Sequence, residues 1–282
     1  MSSRIAITGA TGHLGGRVAA LLAAEGIPLR LVVRDASRAP ALADAQVAVA
    51  TFGDAAAVTA ALTGIDVALM VSAGESATRE QDQETFVRAA AATGVQHVVY
   101  TSFAAAAPDA VFTLGRDHGA TEAVIRESGL HFTFLRDNFY ADVLPAFAGA
   151  QRVARGPAGE GRCSFVVRED VAQVAAAVLR EPLEHRGATY TLTGPASFTL
   201  AEAYAVLSEA TGQEYRFENE TLEQAYASRR AGWPGEPDWV YDAWVSTYAA
   251  IATGALAPVS PDVERILGRP ATSLDAFARS LN

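Results

Sequence analysis

Near its start the chain carries a short apolar run, Ile5 to Ile7, then three glycines at three-residue spacing, Gly9, Gly12 and Gly15. An amphipathic stretch follows, with Leu14, Val18, Leu21 and Leu22 on one face. That order predicts a buried strand, a tight turn and a helix. Each glycine has a physical task. Gly9 turns the chain out of the strand, Gly12 leaves room for an anion at the backbone, and Gly15 lets the helix pack close to the strand. The helix start adds free N–H groups and the positive end of its dipole. The segment Gly9, Ala10, Thr11, Gly12, His13, Leu14 and Gly15 therefore suits the pyrophosphate of a dinucleotide. A plain strand–turn–helix crossover is the alternative. His13 is expected to cap or pack there rather than catalyse.

An absence narrows the chemistry. All 22 basic residues are arginine. Without lysine there is no phosphate-loop lysine, no Schiff-base lysine and no lysine general base. The formal net charge is −10 and no basic run is visible, which argues against direct nucleic-acid binding. A single cysteine, Cys163, excludes an intramolecular disulfide and a cysteine-rich metal site. His97, His131 and His185 show no metal spacing with Asp, Glu or Cys, so no metal is expected. No apolar run reaches the length of a bilayer, so no membrane association is expected. Met1, Ser2, Ser3 and Arg4 lead straight into the first strand. No signal peptide is expected, and the expectation is a soluble cytoplasmic protein.

Strands and helices alternate through the first half. Strands are predicted at Leu29–Val33, Gln46–Ala50, Asp66–Val71, Gln96–Tyr100 and His131–Leu135, and helices at Ala55–Leu62, Thr78–Ala92 and Gly115–Ser128. Gly64, Gly94 and Gly129 follow the last turns of these helices, where a C-cap glycine is expected. A helix at Glu169–Leu179 and a strand at Thr189–Leu192 rejoin the sheet. Gly149 to Gly161 reads as a loop. Beyond Leu200 the pattern is mostly helical: Leu200–Thr211, Leu222–Arg230, Asp238–Thr253, Ser260–Gly268 and Ser273–Arg279, with a short strand at Glu214–Phe217. The expectation is an α/β protein, a Rossmann-type doubly wound parallel sheet with a smaller, mostly helical C-terminal lobe that closes over it. Residues 1–136, joined by about 165–193, would form the nucleotide-binding domain, and the remainder of 137–282 the substrate lobe.

The residue ending strand two selects the dinucleotide. A carboxylate there favours a free ribose 2′-hydroxyl, whereas an arginine can fork onto a 2′-phosphate. Here Val33 is followed by Arg34, with Arg38 one turn on, so NADP(H) is favoured over NAD(H). Asp35 keeps the opposite choice open, since a strand ending one residue later would put an acid at that point. The ends of the other strands place Asp54, Val71, Ser72, Ala73, Thr101, Ser102 and Phe103 in the crevice where open α/β sheets bind ligands.

These residues make the chain resemble the atypical short-chain dehydrogenase/reductases, the NmrA-like group, and within it the type 2 NAD(P)H:quinone oxidoreductases. The resemblance runs over nearly the whole chain. It includes the Ile7 to Gly15 run, Val33 to Asp35, Val98 to Ser102, Glu122 with Ile125 to Gly129, Thr133 to Tyr140, and Leu267 to Leu274. It implies an NAD(P)-binding fold and hydride transfer to a quinone. Typical short-chain reductases carry Tyr-x-x-x-Lys after strand five. This chain has Leu114 and His118 there, and the quinone reductases of the resemblance lack the pair as well.

His118 is then a candidate to bond the nicotinamide ribose or to donate a proton, with a surface histidine as the alternative. Asn138 is expected to hold the nicotinamide amide, with turn chemistry as the alternative. Phe139, Tyr140 and Trp233 are expected to line an apolar pocket for an aromatic or quinone-like substrate. Trp233, Trp239 and Trp244 equally suit packing of the small lobe or an interface. A homodimer is left open. Three functions compete. The first is an NADPH-dependent reductase of a small electron-poor acceptor. The second is a non-catalytic NADP(H) sensor acting through a protein partner. The third is sugar-nucleotide epimerisation, disfavoured because such relatives use the missing Tyr/Lys pair.

Overall fold

The computed structural model describes residues 4–282; the Met1–Ser3 stretch behind the signal-peptide expectation lies outside the described residues. In chain order the elements are β1 (Ile5–Thr8), α1 (His13–Ala24), β2 (Leu29–Val33), β3 (Ala45–Val49), α2 (Ala55–Leu62), β4 (Val67–Met70), α3 (Arg79–Ala92), β5 (His97–Phe103), α4 (Thr113–Glu127) and β6 (His131–Asp137). There follow α5 (Leu144–Ala148), β7 (Val153–Gly156), β8 (Arg162–Cys163), α6 (Arg168–Arg180), β9 (Ala188–Leu192), β10 (Phe198–Thr199) and α7 (Leu200–Thr211). The chain ends with β11 (Arg216–Asn219), α8 (Leu222–Gly232), α9 (Asp238–Ala252), α10 (Asp262–Leu267) and α11 (Leu274–Arg279).

One seven-stranded sheet has the order β3-β2-β1-β4-β5-β6-β9. The β1, β2, β3, β4 and β5 pairings are parallel. The last two neighbours advance in the same sense: His131 N donates to Gln96 O and Ala104 N to Asp137 O, while Gly187 N donates to Phe132 O and Asn138 N to Leu192 O. The order reverses beside β1, the switch point where such sheets bind ligands. Inner strands covered on both faces must be apolar throughout, and β1 and β4 are buried along their whole length. The edge strand β3 instead leaves Val47 and Val49 exposed.

The described residues divide into two compact units: 4–103, 117–136 and 171–190, and 104–116, 137–170 and 191–282. The 104–116 segment, which the sequence placed with the nucleotide-binding part, falls in the second unit. The core of the first unit joins Leu62, Phe86, Val87, Tyr100, Ile125 and Phe134. Burying each such side chain stabilises the fold by about 1.5–3 kcal/mol. The second unit contains a different feature from the loop expected at Gly149 to Gly161. Part of that stretch is β7, paired in parallel with β11. Gly156 is glycine because a Cβ there would stand 2.3 Å from the Tyr248 ring. Composition rich in glycine thus reflected close packing rather than a free loop. Among the described residues, no helix is long and apolar enough to cross a membrane.

Candidate functional site

The glycine turn is built as the spacing demands. Gly9 has φ +63°, a conformation that suits glycine, and Gly12 N donates to Gly9 O at 2.8 Å. A Cβ on Gly15 would stand 2.5 Å from Gly9 O and 2.6 Å from Thr8 O, so α1 packs on β1 with no room for a side chain. Gly12 differs. Its added Cβ would meet only Gly9 O, at 3.3 Å, and it caps α1 with no side-chain hydrogen bond. The first-turn N–H groups of a twelve-residue helix are therefore left without a side-chain cap at an exposed glycine. That cradle fits a dinucleotide pyrophosphate.

Next to it, the loop after β4 is held by three side chains in succession. Val71 N donates to Thr8 Oγ1 at 2.9 Å, Ser72 N to Thr101 Oγ1 at 2.9 Å and Ala73 N to Gln83 Oε1 at 3.2 Å. Arg79 Nε donates to Ala73 O at 2.9 Å. Val71, Ser72 and Ala73 remain partly exposed.

Thr101, Ser102 and Phe103 are the last three residues of β5. β5 runs on to Phe103, so all three lie inside the strand and are buried. The Thr101 hydroxyl serves Ser72, and Ser102 Oγ donates to Glu122 Oε1 at 2.6 Å. Both hydroxyls are thereby engaged within the protein. Phe103 stacks on His118, with ring centres 6.1 Å apart.

His118 is buried, not a surface residue. Its Nε2 lies 3.0 Å from Arg79 Nη2, and its Nδ1 2.9 Å from Tyr100 Oη. Arginine can only donate, so Nε2 accepts and Nδ1 carries the proton. Burial, and then the Arg79 charge, push its pKa well below the usual histidine value. His118 is a neutral ring with both nitrogens engaged, and this arrangement speaks against the proton-donor role. Arg79 is itself buried and also pairs with Asp117 at 3.0 Å. Glu122, 1% exposed, accepts from Arg136, Arg126 and Ser102. Burial alone would raise its pKa; the bonds from Arg136, Ser102 and Arg126 outweigh that and hold it below the usual value.

At the end of β2, Arg34 and Arg38 are exposed, and the strand ends at Val33. Asp35 caps a short turn, accepting from Ser37 N at 2.9 Å and Ser37 Oγ at 2.7 Å. Those bonds lower its pKa. Asp54 is likewise committed as the N-cap of α2, accepting from Ala57 N at 3.0 Å.

In the second unit, Asn138 is 2% exposed and saturated. Its Nδ2 donates to Ser164 Oγ at 2.8 Å and Leu256 O at 2.9 Å, while its Oδ1 accepts from Phe139 N at 2.8 Å and Cys163 Sγ at 3.2 Å. These bonds tie the end of β6 to segments far along the chain. Phe139 meets Phe112 edge-on at 5.4 Å. Tyr140 Oη donates to Asp137 Oδ2 at 2.6 Å. Trp233 is 56% exposed and meets Trp244 at 5.3 Å, so it is not core. Among the described residues, no group of His, Cys, Asp and Glu could hold a metal.

Arg79, Gln83, Glu122 and Asp137 were missed in the sequence, yet two left a signal. Arg79 and Gln83 fall on the same helical face as Phe86, Val87 and Ala90, polar residues on an apolar stripe.

Against known proteins, the family described as NAD(P)H-binding matches residues 9–182. An NAD(P)H azoreductase of Xenophilus azovorans is 33% identical, covering 98% of this chain and 97% of the relative. Quinone oxidoreductase 2 of Escherichia coli is 33% identical, covering 96% of each chain. A crystal structure of an Escherichia coli NADPH-dependent quinone oxidoreductase complexed with NADPH superposes with a TM-score of 0.88 at 32% identity, covering 98% of this chain and 99% of that one.

Proposed function

This chain belongs to the NAD(P)H-binding family, as an NmrA-like, atypical short-chain dehydrogenase/reductase of the quinone oxidoreductase type, and on that premise we propose that it passes hydride from NADPH to a quinone or similar small, electron-poor acceptor. The carrying observation is the uncapped start of α1 behind Gly12, beside the stitched loop Val71–Ala73. Bound there, NADPH supplies the hydride. The chain's own residues supply position. Gly9 to Gly15 take the pyrophosphate, and the fixed main chain of Val71, Ser72 and Ala73 forms a wall. Arg79 and His118 hold that wall and α4 in place.

The preference for NADPH over NADH rests on Arg34, exposed directly after β2, while Asp35 is turned to Ser37. Phe139 and Tyr140 are assigned to the acceptor, with Trp233 as an exposed aromatic candidate. Reduction of a quinone needs no alkoxide-stabilising Tyr/Lys pair, because the reduced oxygen is weakly basic. The test is steady-state NADPH oxidation with a panel of quinones, alongside calorimetric binding of NADPH and NADP⁺. Turnover with simple quinones and none with aliphatic ketones is expected. Tight binding without turnover by any quinone would replace this reading with that of a redox sensor.

A further inference from the structure

Asp137 ends β6, and its carbonyl accepts from Ala104 N, at 2.9 Å, just beyond the end of β5. Asp137 thus sits at the carboxyl end of a strand of the parallel sheet. Strand ends of this kind carry the ligand chemistry of open α/β sheets. The Asp137 carboxyl is 3% exposed. Its Oδ2 meets Tyr140 Oη at 2.6 Å, and its Oδ1 is buried with no hydrogen-bond partner among the described residues. An ionised carboxylate with one orphaned oxygen in a dry setting is costly, whereas a protonated one is not.

The charged and titratable neighbours do not rescue the anion. Arg168, at the start of α6, stands over the Tyr140 ring at 4.9 Å rather than on the carboxylate. It is paired with Asp142, at 3.4 Å, in the turn after Tyr140. On the β5 side, the Ala104 N–H bonds the Asp137 main-chain carbonyl and leaves the carboxyl unserved. Burial accordingly pushes the Asp137 pKa up to about 8, against a smaller lowering by the Tyr140 bond.

We propose that Asp137 and Tyr140 form the proton source for the reduced acceptor, in place of the Tyr-x-x-x-Lys pair that this chain lacks. The proposal rests on the reductase reading above. The acceptor gains two electrons and one hydrogen as hydride, leaving a negative oxygen. With the acceptor bound, the Tyr140 hydroxyl turns its proton from Asp137 Oδ2 to that oxygen and gives it up, the Asp137 carboxyl, protonated on Oδ2, passes its proton to Tyr140 Oη, and solvent reprotonates Asp137. Tyr140 is the catalytic residue, and Asp137 positions and recharges it.

Two experiments test this separately from the reductase reading. In the ligand-free protein, infrared titration from about pH 6 to about pH 10 brackets the Asp137 value and should show a carboxylic-acid C=O band lost with rising pH. Asp137→Asn should abolish that band. If the wild-type protein has no such band, or keeps it in Asp137→Asn, Asp137 holds no proton and the proposal fails whatever the activity. In quinone reduction, kcat of the wild type should fall as pH rises through about 8. Tyr140→Phe should lower kcat about ten- to a hundredfold, the low end for general acid catalysis, and remove the solvent deuterium isotope effect. NADPH affinity, read by calorimetry, should stay within about twofold of wild type. Asp137→Asn should flatten the pH profile. Unchanged kcat and isotope effect in Tyr140→Phe would overturn the proposal while leaving the reductase reading intact. No quinone turnover in wild type, with the band present, would overturn the reductase reading and the proton delivery built on it.

Discussion

The two glycines three residues apart at the start of α1 should fail in opposite ways. A Cβ on Gly15 would overlap Gly9 O, Thr8 O and the Gly9 carbonyl carbon, at 2.5, 2.6 and 2.7 Å. Ordinary contact needs roughly 1 Å more, and every obstacle is backbone in the centre of the sheet. Contacts this short against fixed backbone put the overpacking cost at about 2–3 kcal/mol, and the better helix propensity of alanine offsets about 1 kcal/mol of it. Gly15→Ala should therefore lose about 1–2 kcal/mol. At about 2–4 °C per kcal/mol for a chain of this size, Tm falls by about 2–8 °C. At Gly12, where φ is −95°, an added Cβ meets a single backbone oxygen, at 3.3 Å, a tight contact that a small shift relieves. The cost of Gly12→Val is confined to a poorer N-cap, about 1 kcal/mol. What it should lose is ligand stabilisation, about 2.7 kcal/mol in the wild type at a hundredfold excess of NADPH over Kd. Thermal melting of both variants, with and without NADPH, is the assay. A Gly15→Ala protein as stable as wild type would refute the close-packing argument. A Gly12→Val protein with the full NADPH shift would refute the assignment of the cradle to the pyrophosphate.

Arg34→Ala should weaken NADPH binding by about 1.5–3 kcal/mol and leave NADH nearly unchanged, as calorimetry of both cofactors would show; equal losses would remove Arg34 from the 2′-phosphate. Glu122→Gln breaks a buried pair whose arginines are partly exposed, so about 3 kcal/mol of stability should go at neutral pH. The folded pKa of Glu122 is lowered, so its contribution is present above the unfolded value of about 4.3 and is lost as pH falls through the folded value. Denaturant unfolding of Glu122→Gln should accordingly show a flatter loss in acid than wild type. His118→Ala strips partners from Arg79 and Tyr100 and should lower Tm, but the pH profile of quinone reduction should keep its shape, since the ring is neutral already. A profile that loses an ionisation near pH 6.5 would restore His118 as an acid.

The sequence by itself determined the alternating elements of the first half and the glycine turn. Strand, three spaced glycines and amphipathic helix are local patterns, and β2 and α2 stand where periodicity and turn residues put them. β2 ends at Val33 with Arg34 exposed after it, which the sequence left open against a strand one residue longer. Tertiary structure decided which polar groups are free. Thr101, Ser102 and Asn138 look available in the sequence, but partners far along the chain consume them: Ser72, Glu122, Ser164 and Leu256. Buried donors and acceptors must be satisfied, and only the folded chain brings their partners into range. The same rule singles out Asp137, whose Oδ1 finds no partner among the described residues, and which no spacing in the sequence could have marked.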